Sequence, residues 1–578
     1  MTDRPTCAER LLSLAARLGS DYIFANLGSD HPAFIEGFAR MRERGERMPQ
    51  VVVCPHEMTA LSAAHGYAMV TRRPQLVLVH VDVGTQNLGG SVHNAARGRI
   101  PAIVVAGLSP VTENAGLRGG RNEFIHDLQD APRQEEIVAQ YMKWCYQLRA
   151  PETVDSVVLR AVQLATMEPQ GPVYLTGARE VWEGAAPEAR EQTADWPTPR
   201  LGGLPAGAVA DLRDLLISSS RPLVVTSYLG RYPGAVGKLV ALSERAAIGV
   251  TEVSPSYMNF PGDHPHHLGY RRNTLIEDAD LILLIDVDVP WLKSKVRPAP
   301  GAHVVHVDVD PVKAGMGFWH YPCRWSFQAD AAQALDQLLD EVGLRPAGAD
   351  ARREWIRSRR LSLPAAAEAP VFGPITAAEL SQGVRDLVNE RTVVVFEAPT
   401  STEVIPSVLK LSRPGSYLNS GGTGLGWGIN AALGAKLASP DSEVVVLVGD
   451  GCYQFGVPGS AYWVASTYDI PFLTVIYNNG GWNAPKYSTL GVHPHGTAMR
   501  NDTFWATTTS GTRLADVARA SGNVSAFEVC DRKDLTDTLG KAMDDVRSGR
   551  PAVVDVRITP FSGQVLAKND TRPQRDDK

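Results

Sequence analysis

The chain has 578 residues, of which 44% are hydrophobic and 21% are charged, a composition typical of folded proteins and long enough for several domains of roughly 150 residues. Its 57 basic and 63 acidic side chains give a net charge of −6, which offers no excess positive charge for nucleic acid or an anionic membrane. The sequence contains no apolar run of about 18 residues and no apolar leader, so we expect neither a membrane span nor a signal peptide.

The cysteines indicate the compartment. None of them forms a CxxC pair, and they are scattered along the chain at Cys7, Cys54, Cys145, Cys323, Cys452 and Cys530. This spacing argues against a structural zinc site and against a disulfide framework. We therefore expect buried free thiols and a cytoplasmic location.

Short β-branched runs alternate with helical stretches along the whole chain, which predicts βαβ units and parallel sheets. The predicted strands lie near residues 22–25, 51–53, 76–80, 102–106, 222–226, 281–285, 303–309, 392–396, 443–448, 472–477 and 552–558. Stretches rich in Pro, Ala and charged residues separate three groups of strands. We predict an α/β protein with three doubly wound parallel-sheet domains, two linkers and a C-terminal tail, at 1–182, 183–203 (linker), 204–343, 344–374 (linker), 375–560 and 561–578 (tail).

Two neighbouring strands of the last domain end in polar clusters. The strand at 443–448 runs into Gly449-Asp450-Gly451, and the strand at 472–477 runs into Asn478-Asn479-Gly480-Gly481. Ligands gather at the carboxyl ends of parallel strands, and carboxylate and amide oxygens suit Mg²⁺. Asp-Gly and Asn-Gly are also ordinary turn dipeptides, so either cluster alone would predict only a turn. Together they predict a metal-diphosphate site.

The pair of clusters, with Asp450 and Asn479 separated by 29 positions, resembles the thiamine diphosphate signature. With it, the whole chain resembles the superfamily of acetolactate synthase, benzoylformate decarboxylase and 2-hydroxyacyl-CoA lyase. The resemblance implies a pyrimidine-binding, a middle and a diphosphate-binding domain, in that order, and a homodimer or homotetramer in which the first domain of one subunit faces the third of another. It implies that thiamine diphosphate and Mg²⁺ are held by Asp450, Asn479 and Gly481 (metal) and by Gly449, Gly451 and Cys452, the last replacing the usual serine.

Further cofactor contacts follow from the same resemblance. Glu57, in Pro55-His56-Glu57, takes the place of the glutamate that activates the cofactor through its pyrimidine ring; outside this pattern it would be interpreted as a carboxylate at a helix start. Leu425, in the glycine-rich turn 421–428, corresponds to the residue that bends the cofactor. Further residues assigned to cofactor binding are Ser29, Gly424, Glu397 and Gln134. Neither GxGxxG nor GxxxxGKS/T occurs, so nicotinamide and P-loop sites lack their fingerprints.

Three reactions remain open, all of which form an acyl-anion or formyl-anion equivalent at C2 of the cofactor. His80, matching a proton-transfer histidine, and Ser29 favour a 2-oxo-acid decarboxylase or carboligase; a strand-end histidine is the plain alternative for His80. Gln86 is expected to face the substrate. The general pattern fits acetolactate synthase, but 284–291 lacks the GxRF-like segment found near FAD, so FAD is not expected.

The third reaction is cleavage of a 2-hydroxyacyl-CoA to an aldehyde or ketone and formyl-CoA. The tail resembles the SGxxxxK segment of oxalyl-CoA decarboxylase-like lyases, and Trp291-Leu292 resembles their nucleotide region, which leaves an ADP or CoA site in the middle domain open. From sequence alone we narrowly favour this lyase. A pyruvate-oxidase type of enzyme is less expected, and a non-catalytic binding protein least. Candidate substrate contacts are His264, Asn483, Lys486, Tyr487 and Lys568.

Overall fold

A computed structural model describes residues 4–113, 116–187, 196–270, 273–341, 346, 348–360, 374–507 and 511–560. The strands of these residues form three six-stranded sheets in which all neighbours are parallel. The predicted α/β architecture with three parallel sheets is therefore confirmed. The C-terminal tail, with Lys568, lies outside the described residues.

The first sheet has the strand order β2-β1-β3-β4-β6-β5. Helix α1 begins with a capping box in which the Thr6 hydroxyl accepts from the Glu9 N–H and the Glu9 carboxylate accepts from the Thr6 N–H. The elements are β1 Tyr22–Ala25, β2 Gln50–Val53, β3 Gln75–Val79, β4 Ala102–Leu108, β5 Trp144–Leu148, β6 Val173–Ala178, α1 Cys7–Arg17, α2 Pro32–Glu43, α3 Glu57–Thr71, α4 Val81–Asn87, α5 Gly90–Arg97, α6 Ile125–Leu128, α7 Val154–Thr166 and α8 Arg179–Glu183.

The middle sheet has the order β12-β11-β10-β7-β8-β9. Its elements are β7 Pro222–Thr226, β8 Gly249–Glu252, β9 His267–Tyr270, β10 Leu281–Ile285, β11 His303–Asp308, β12 Trp325–Gln328, α9 Ala206–Ser218, α10 Pro233–Ala246, α11 Asn273–Asp278, α12 Ala331–Glu341 and α13 Ala349–Arg359. Helix α13 lies in the segment that we predicted as a linker. Its buried Arg352 donates to the carbonyls of Ala246 and Leu216 at 2.7 and 2.6 Å, which ties the helix to the ends of α10 and α9.

The third sheet has the order β14-β13-β15-β16-β18-β17, which repeats the order of the first sheet. The first and last domains therefore share one sheet topology. The elements are β13 Thr392–Glu397, β14 Tyr417–Leu418, β15 Glu443–Gly449, β16 Leu473–Asn478, β17 Ser525–Val529, β18 Ala552–Arg557, α14 Ala377–Arg385, α15 Val404–Leu409, α16 Gly428–Ala438, α17 Asp450–Phe455, α18 Pro458–Thr467, α19 Asn483–Val492, α20 Thr497–Arg500, α21 Leu514–Arg519 and α22 Leu535–Arg547.

Helices α3 and α16 join the first domain to the third, and glycines let them approach closely. A Cβ at Gly434 would lie 1.8 Å from the carbonyl oxygen of Ala63, and one at Gly66 would lie 2.0 Å from that of Ala431. Both helices are buried on nearly every side, in one hydrophobic cluster with strands of both sheets. The carboxyl edges of two sheets are therefore held in a fixed relation within one chain. Among the described residues, no helix is long and apolar enough to cross a membrane.

Candidate active site

Two polar side chains that are candidate metal ligands, Asp450 and Asn479, lie at the carboxyl edge of the third sheet. Asp450 begins α17 directly after β15, and its carboxylate accepts from the backbone N–H groups of Gly451 and Gly481. Burial raises the pKa of Asp450 to about 6 despite these bonds. Asn479 follows β16, the neighbour of β15, and its side-chain oxygen is buried without a partner among the described residues. A carboxylate and an amide oxygen are ligands that suit a hard cation such as Mg²⁺.

Open space adjoins these ligands. A Cβ on Gly449 or on Gly480 would meet no atom within 4 Å, so a phosphate group can approach the backbone there. The Nδ2 of Asn479 donates to the Thr400 hydroxyl at 3.3 Å, so the loop after β13 also lies at this sheet edge. Thr400 was missed in the sequence because a lone threonine after a strand carries no distinctive signal. The predicted diphosphate residue Cys452 is buried, and burial together with the charges of Glu397 and Asp450 raises its pKa well above the usual value.

Glu397 holds the glycine-rich turn. Its carboxylate accepts from the N–H groups of Gly426 at 2.7 Å, Trp427 at 3.1 Å and Gly428 at 2.7 Å, at the start of α16. Burial raises the pKa of Glu397 to about 7 although these three bonds lower it. Because both oxygens are engaged by the backbone, Glu397 orients the turn that carries Leu425.

The first domain of the same chain holds this turn from its other side. Buried Asn94, on α5, donates from Nδ2 to the Gly424 carbonyl at 2.8 Å and accepts from the Gly424 N–H at 2.9 Å through Oδ1. A Cβ at Gly422 would lie 2.4 Å from this Oδ1, so the turn needs glycine at the contact. Sequence reasoning missed Asn94, whose partner is 330 positions away.

A cavity of about 600 Å³ opens where the three domains meet the turn. Leu425 and Glu397 of the third domain, Arg99 of the first and Tyr228 of the middle domain line it. The Arg99 guanidinium lies 4.0 Å from the centre of the Tyr228 ring and donates to Asp288 at 2.7 Å. The volume of this cavity is in the range of small-molecule binding sites.

A second cluster lies at the carboxyl edge of the first sheet. Glu57 begins α3 and is 4% exposed; its Oε2 is buried without a partner among the described residues. A Cβ at Gly84 would lie 2.8 Å from Glu57 Oε1 and 3.1 Å from His80 Cβ, so Glu57 and His80 flank one glycine. The Ser29 hydroxyl, after β1, is likewise buried and without a partner in the described part of the chain. An acidic group, an imidazole and a hydroxyl thus share one sheet edge.

The remaining predicted residues are spread over the three domains. Gln86, on α4, is exposed, whereas the Gln134 amide donates to the Gly107 carbonyl and the Tyr174 hydroxyl, both at 2.9 Å. His264 lies in the middle domain with its Nε2 3.2 Å from Glu244. Helix α19 carries the other three candidates of the described chain, which are buried Asn483, buried Lys486 and half-exposed Tyr487. Their roles stay predictions.

The middle domain has a smaller cavity of about 370 Å³ at the carboxyl edge of its sheet. Buried Trp291 and exposed Leu292 line it together with Lys295. The sequence predicted an ADP or CoA site from the dipeptide Trp291-Leu292, and this site stays a prediction.

Comparison with known proteins identifies the family of all three domains. The N-terminal and C-terminal TPP-binding domains and the central domain of the thiamine pyrophosphate enzymes match residues 5–137, 400–556 and 209–338. The chain therefore belongs to the thiamine pyrophosphate enzymes, of the decarboxylase and acetolactate synthase type. The predicted superfamily and the prediction of an enzyme are confirmed.

Individual relatives span nearly the whole chain. Benzoylformate decarboxylase of Pseudomonas aeruginosa is 26% identical over 554 residues, covering 93% of this chain and 96% of the relative. Acetolactate synthase isozyme 1 large subunit of Escherichia coli is 24% identical over 529 residues, covering 88% and 86%. The structure of a thiamine diphosphate-dependent 4-hydroxybenzoylformate decarboxylase from Rhodococcus jostii matches with a TM-score of 0.79 and 25% identity, covering 96% of this chain and 99% of that one.

Proposed function

We propose that this protein is a thiamine diphosphate- and Mg²⁺-dependent 2-oxo-acid decarboxylase and carboligase, similar to benzoylformate decarboxylase. The observation that carries the proposal is the cluster of His80, Ser29 and Glu57 at one sheet edge, a proton-transfer group and a hydroxyl beside the acidic group that thiamine chemistry needs. The relatives that share this name or activity class support it. The 2-hydroxyacyl-CoA lyase that the sequence narrowly favoured becomes the second candidate.

The residues present fit the cofactor. Asp450 and the partnerless oxygen of Asn479 would hold Mg²⁺ with the Gly481 carbonyl, and the open backbone at Gly449 and Gly480 would receive the diphosphate. Bound thiamine diphosphate supplies an electron sink for the electrons released when the bond beside a carbonyl breaks. Glu57, whose Oε2 has no partner among the described residues, would hold a proton against the pyrimidine ring.

His80 would then supply the proton that the product needs. Decarboxylation breaks the bond between the carbonyl carbon and the carboxylate, CO₂ leaves, and the carbonyl carbon must take up one proton to give an aldehyde. An imidazole with one nitrogen held by the protein and the other available is suited to this transfer. In carboligation a second carbonyl compound takes the place of the proton.

We also propose that two copies of the chain complete the site. Within one chain the residues group into one cluster around Glu57 and another around Asp450. Both edges leave large side chains exposed, such as Val83 at 40% near the first and Phe455 at 53% near the second. A homodimer or homotetramer in which these edges face each other would cover both. Light scattering at assay concentration tests this, and an active monomer would contradict it.

Turnover of a panel of 2-oxo acids tests the reaction. We expect release of CO₂ and aldehyde from benzoylformate or a related acid, dependent on Mg²⁺ and thiamine diphosphate, and loss of roughly 100-fold or more in kcat for His80→Ala. Asp155→Asn in the same domain, remote from the sheet edge in an ion pair with Arg10, is the matched control and should stay near wild type. Normal turnover in His80→Ala would contradict the assigned role.

The acyl-CoA lyase is supported by the tail sequence and by the middle-domain cavity at Trp291 and Lys295. If this reading holds, truncation after Pro560 raises the KM for a 2-hydroxyacyl-CoA steeply, because the tail with Lys568 would close over the nucleotide. An unchanged KM would count against the lyase. The cytoplasmic location stays a prediction.

A further inference from the structure

His80 has a buried charged partner, Asp30. Its Nδ1 makes a short hydrogen bond to Oδ1 of Asp30, a carboxylate that is only 3% exposed. The other oxygen of Asp30 accepts from the backbone N–H of Val81 at 3.2 Å. Asp30 follows β1 and His80 follows β3, so the pair bridges two adjacent strands at the edge where Glu57 lies.

Two glycines make room for the pair. A Cβ at Gly107 would lie 1.8 Å from Oδ2 of Asp30, and a Cβ at Gly28 would lie 2.1 Å from Nδ1 of His80. Neither clash could be relieved without displacing one member of the pair. The hydrogen-bonded pair of Asp30 and His80 therefore requires glycine at positions 28 and 107.

The contacts of Asp30 indicate the protonation states of its two neighbouring histidines, His31 and His80. His31 Nδ1 accepts from the Gly28 N–H at 3.0 Å, so a neutral His31 carries its proton on Nε2, which lies 3.2 Å from Asp30 Oδ2. Burial lowers the pKa of His31, which keeps that ring neutral. Burial alone would lower the pKa of His80 as well, but its hydrogen bond to Asp30 and the Asp30 charge outweigh it and raise the value.

Other side chains interact with His80 more weakly than Asp30 does. The Gln129 side chain is a further hydrogen-bond partner, and the Asp82 carboxylate also raises the pKa of His80. Glu57 also lies close to Gly84, with Oε1 2.8 Å from the position of a Cβ there. Among these groups Asp30 makes the direct charged contact, and it engages Nδ1, which leaves Nε2 on the far side of the ring.

We infer that Asp30 is a positioning residue for the reaction: its carboxylate holds His80 by Nδ1, presents Nε2 for proton transfer and keeps the imidazole in its charged, proton-donating form. This inference rests on the proposed function, because it needs His80 to deliver a proton. Asp30 is buried, with one oxygen on His80 and the other on the Val81 N–H, so it would act through His80. An Asn at this position would keep the size and the acceptor oxygen but remove the charge.

The first test does not depend on activity. Hydrogen–deuterium exchange at Cε1 of each histidine, followed by mass spectrometry of the holoenzyme across pH, gives the pKa of His80 with His264 and His493 as references. We expect a value above the ordinary one of about 6.5 in the wild type, and an acid dissociation constant about tenfold or more higher in Asp30→Asn. Asp155→Asn should leave it unchanged. An unchanged value in Asp30→Asn overturns the inference; if that variant does not fold, a wild-type value at or below 6.5 overturns it.

The second test separates positioning from a structural role. At pH 8, Asp30→Asn should lower kcat about tenfold or more, with a smaller loss at pH 6, because the alkaline limb of the profile follows His80. In the His80→Ala background the same change should alter kcat less than about twofold. A tenfold loss in that background would make Asp30 merely structural and would overturn the inference. A wild type without any 2-oxo-acid turnover would overturn the proposed function, and the exchange measurement would still decide whether Asp30 controls His80.

Discussion

Removing the side chain of Asn94 should destabilise the glycine-rich turn 421–428 and weaken the binding of thiamine diphosphate. Asn94→Ala deletes two hydrogen bonds, at 2.8 and 2.9 Å, to the backbone carbonyl and N–H of Gly424. At about 0.5–1.5 kcal/mol net for each bond, the loss is about 1–3 kcal/mol. If the loss falls on the turn, it corresponds to a decrease of about 5- to 150-fold in affinity for thiamine diphosphate.

Tryptophan fluorescence of the apoenzyme, titrated with thiamine diphosphate at fixed Mg²⁺, measures this affinity. Trp427 lies in the turn and Trp482 lies beside Gly451, so both should report on binding. Asn94→Asp keeps the oxygen that accepts from Gly424 and should lose less. The thermal midpoint of the apoenzyme is measured alongside. An affinity within twofold of wild type in Asn94→Ala, with a lowered midpoint, would show that Asn94 only joins the domains and would refute the reasoning.

Further predictions concern the two sheet edges. Glu57→Gln should lose roughly 100-fold or more in kcat while keeping its circular dichroism and cofactor binding, and near-normal turnover would sink the assignment. Asp450→Asn and Asn479→Ala should weaken Mg²⁺-dependent cofactor binding in calorimetric titrations, whereas exposed Asp441→Asn near the start of β15 should not; equal affinities in all three would refute the metal site. The pKa of Glu397, raised to about 7 from an ordinary 4.5, means that the folded state favours the protonated carboxyl. Its contribution of about 3 kcal/mol is complete below pH 4.5 and lost as pH rises through 7, so apoenzyme stability should fall between pH 5 and 8, and less so in Glu397→Gln.

The sequence predicted the buried strands best. The run at 443–448 is apolar after Glu443 and ends at Gly449, and the run at 472–477 is apolar except for Thr474 and lies between Pro471 and Asn478; they match β15 and β16 closely. Seven strands were missed, namely β5, β6, β8, β9, β12, β14 and β17. Most of them are short or partly exposed and carry no such run, whereas β6 is six residues long and fully buried, with Thr176 and Gly177 interrupting its apolar run. Helix α13 was missed because its sequence is mostly polar; the few residues that it buries are Ala349, Ile356 and the charged Arg352, which donates to the Ala246 carbonyl.

The site divides in the same way. Asp450, Gly451 and Asn479 directly follow two neighbouring parallel strands, so their convergence at one sheet edge was predictable. Asp30 and Asn94 act through partners 50 and 330 positions away, and no local pattern connects such residues. Only the parallel topology and the close packing of α3 on α16 bring them to the sheet edges.

One mixed-substrate reaction tests the proposed function most directly. The protein is incubated with Mg²⁺, thiamine diphosphate, benzoylformate, pyruvate and a small 2-hydroxyacyl-CoA together, with Glu57→Gln as the control, and the products are identified by mass spectrometry. We predict CO₂ with benzaldehyde, acetaldehyde or acetolactate, and none of these from Glu57→Gln. Formyl-CoA with an aldehyde or ketone, while both 2-oxo acids remain intact, would contradict the account and establish the lyase.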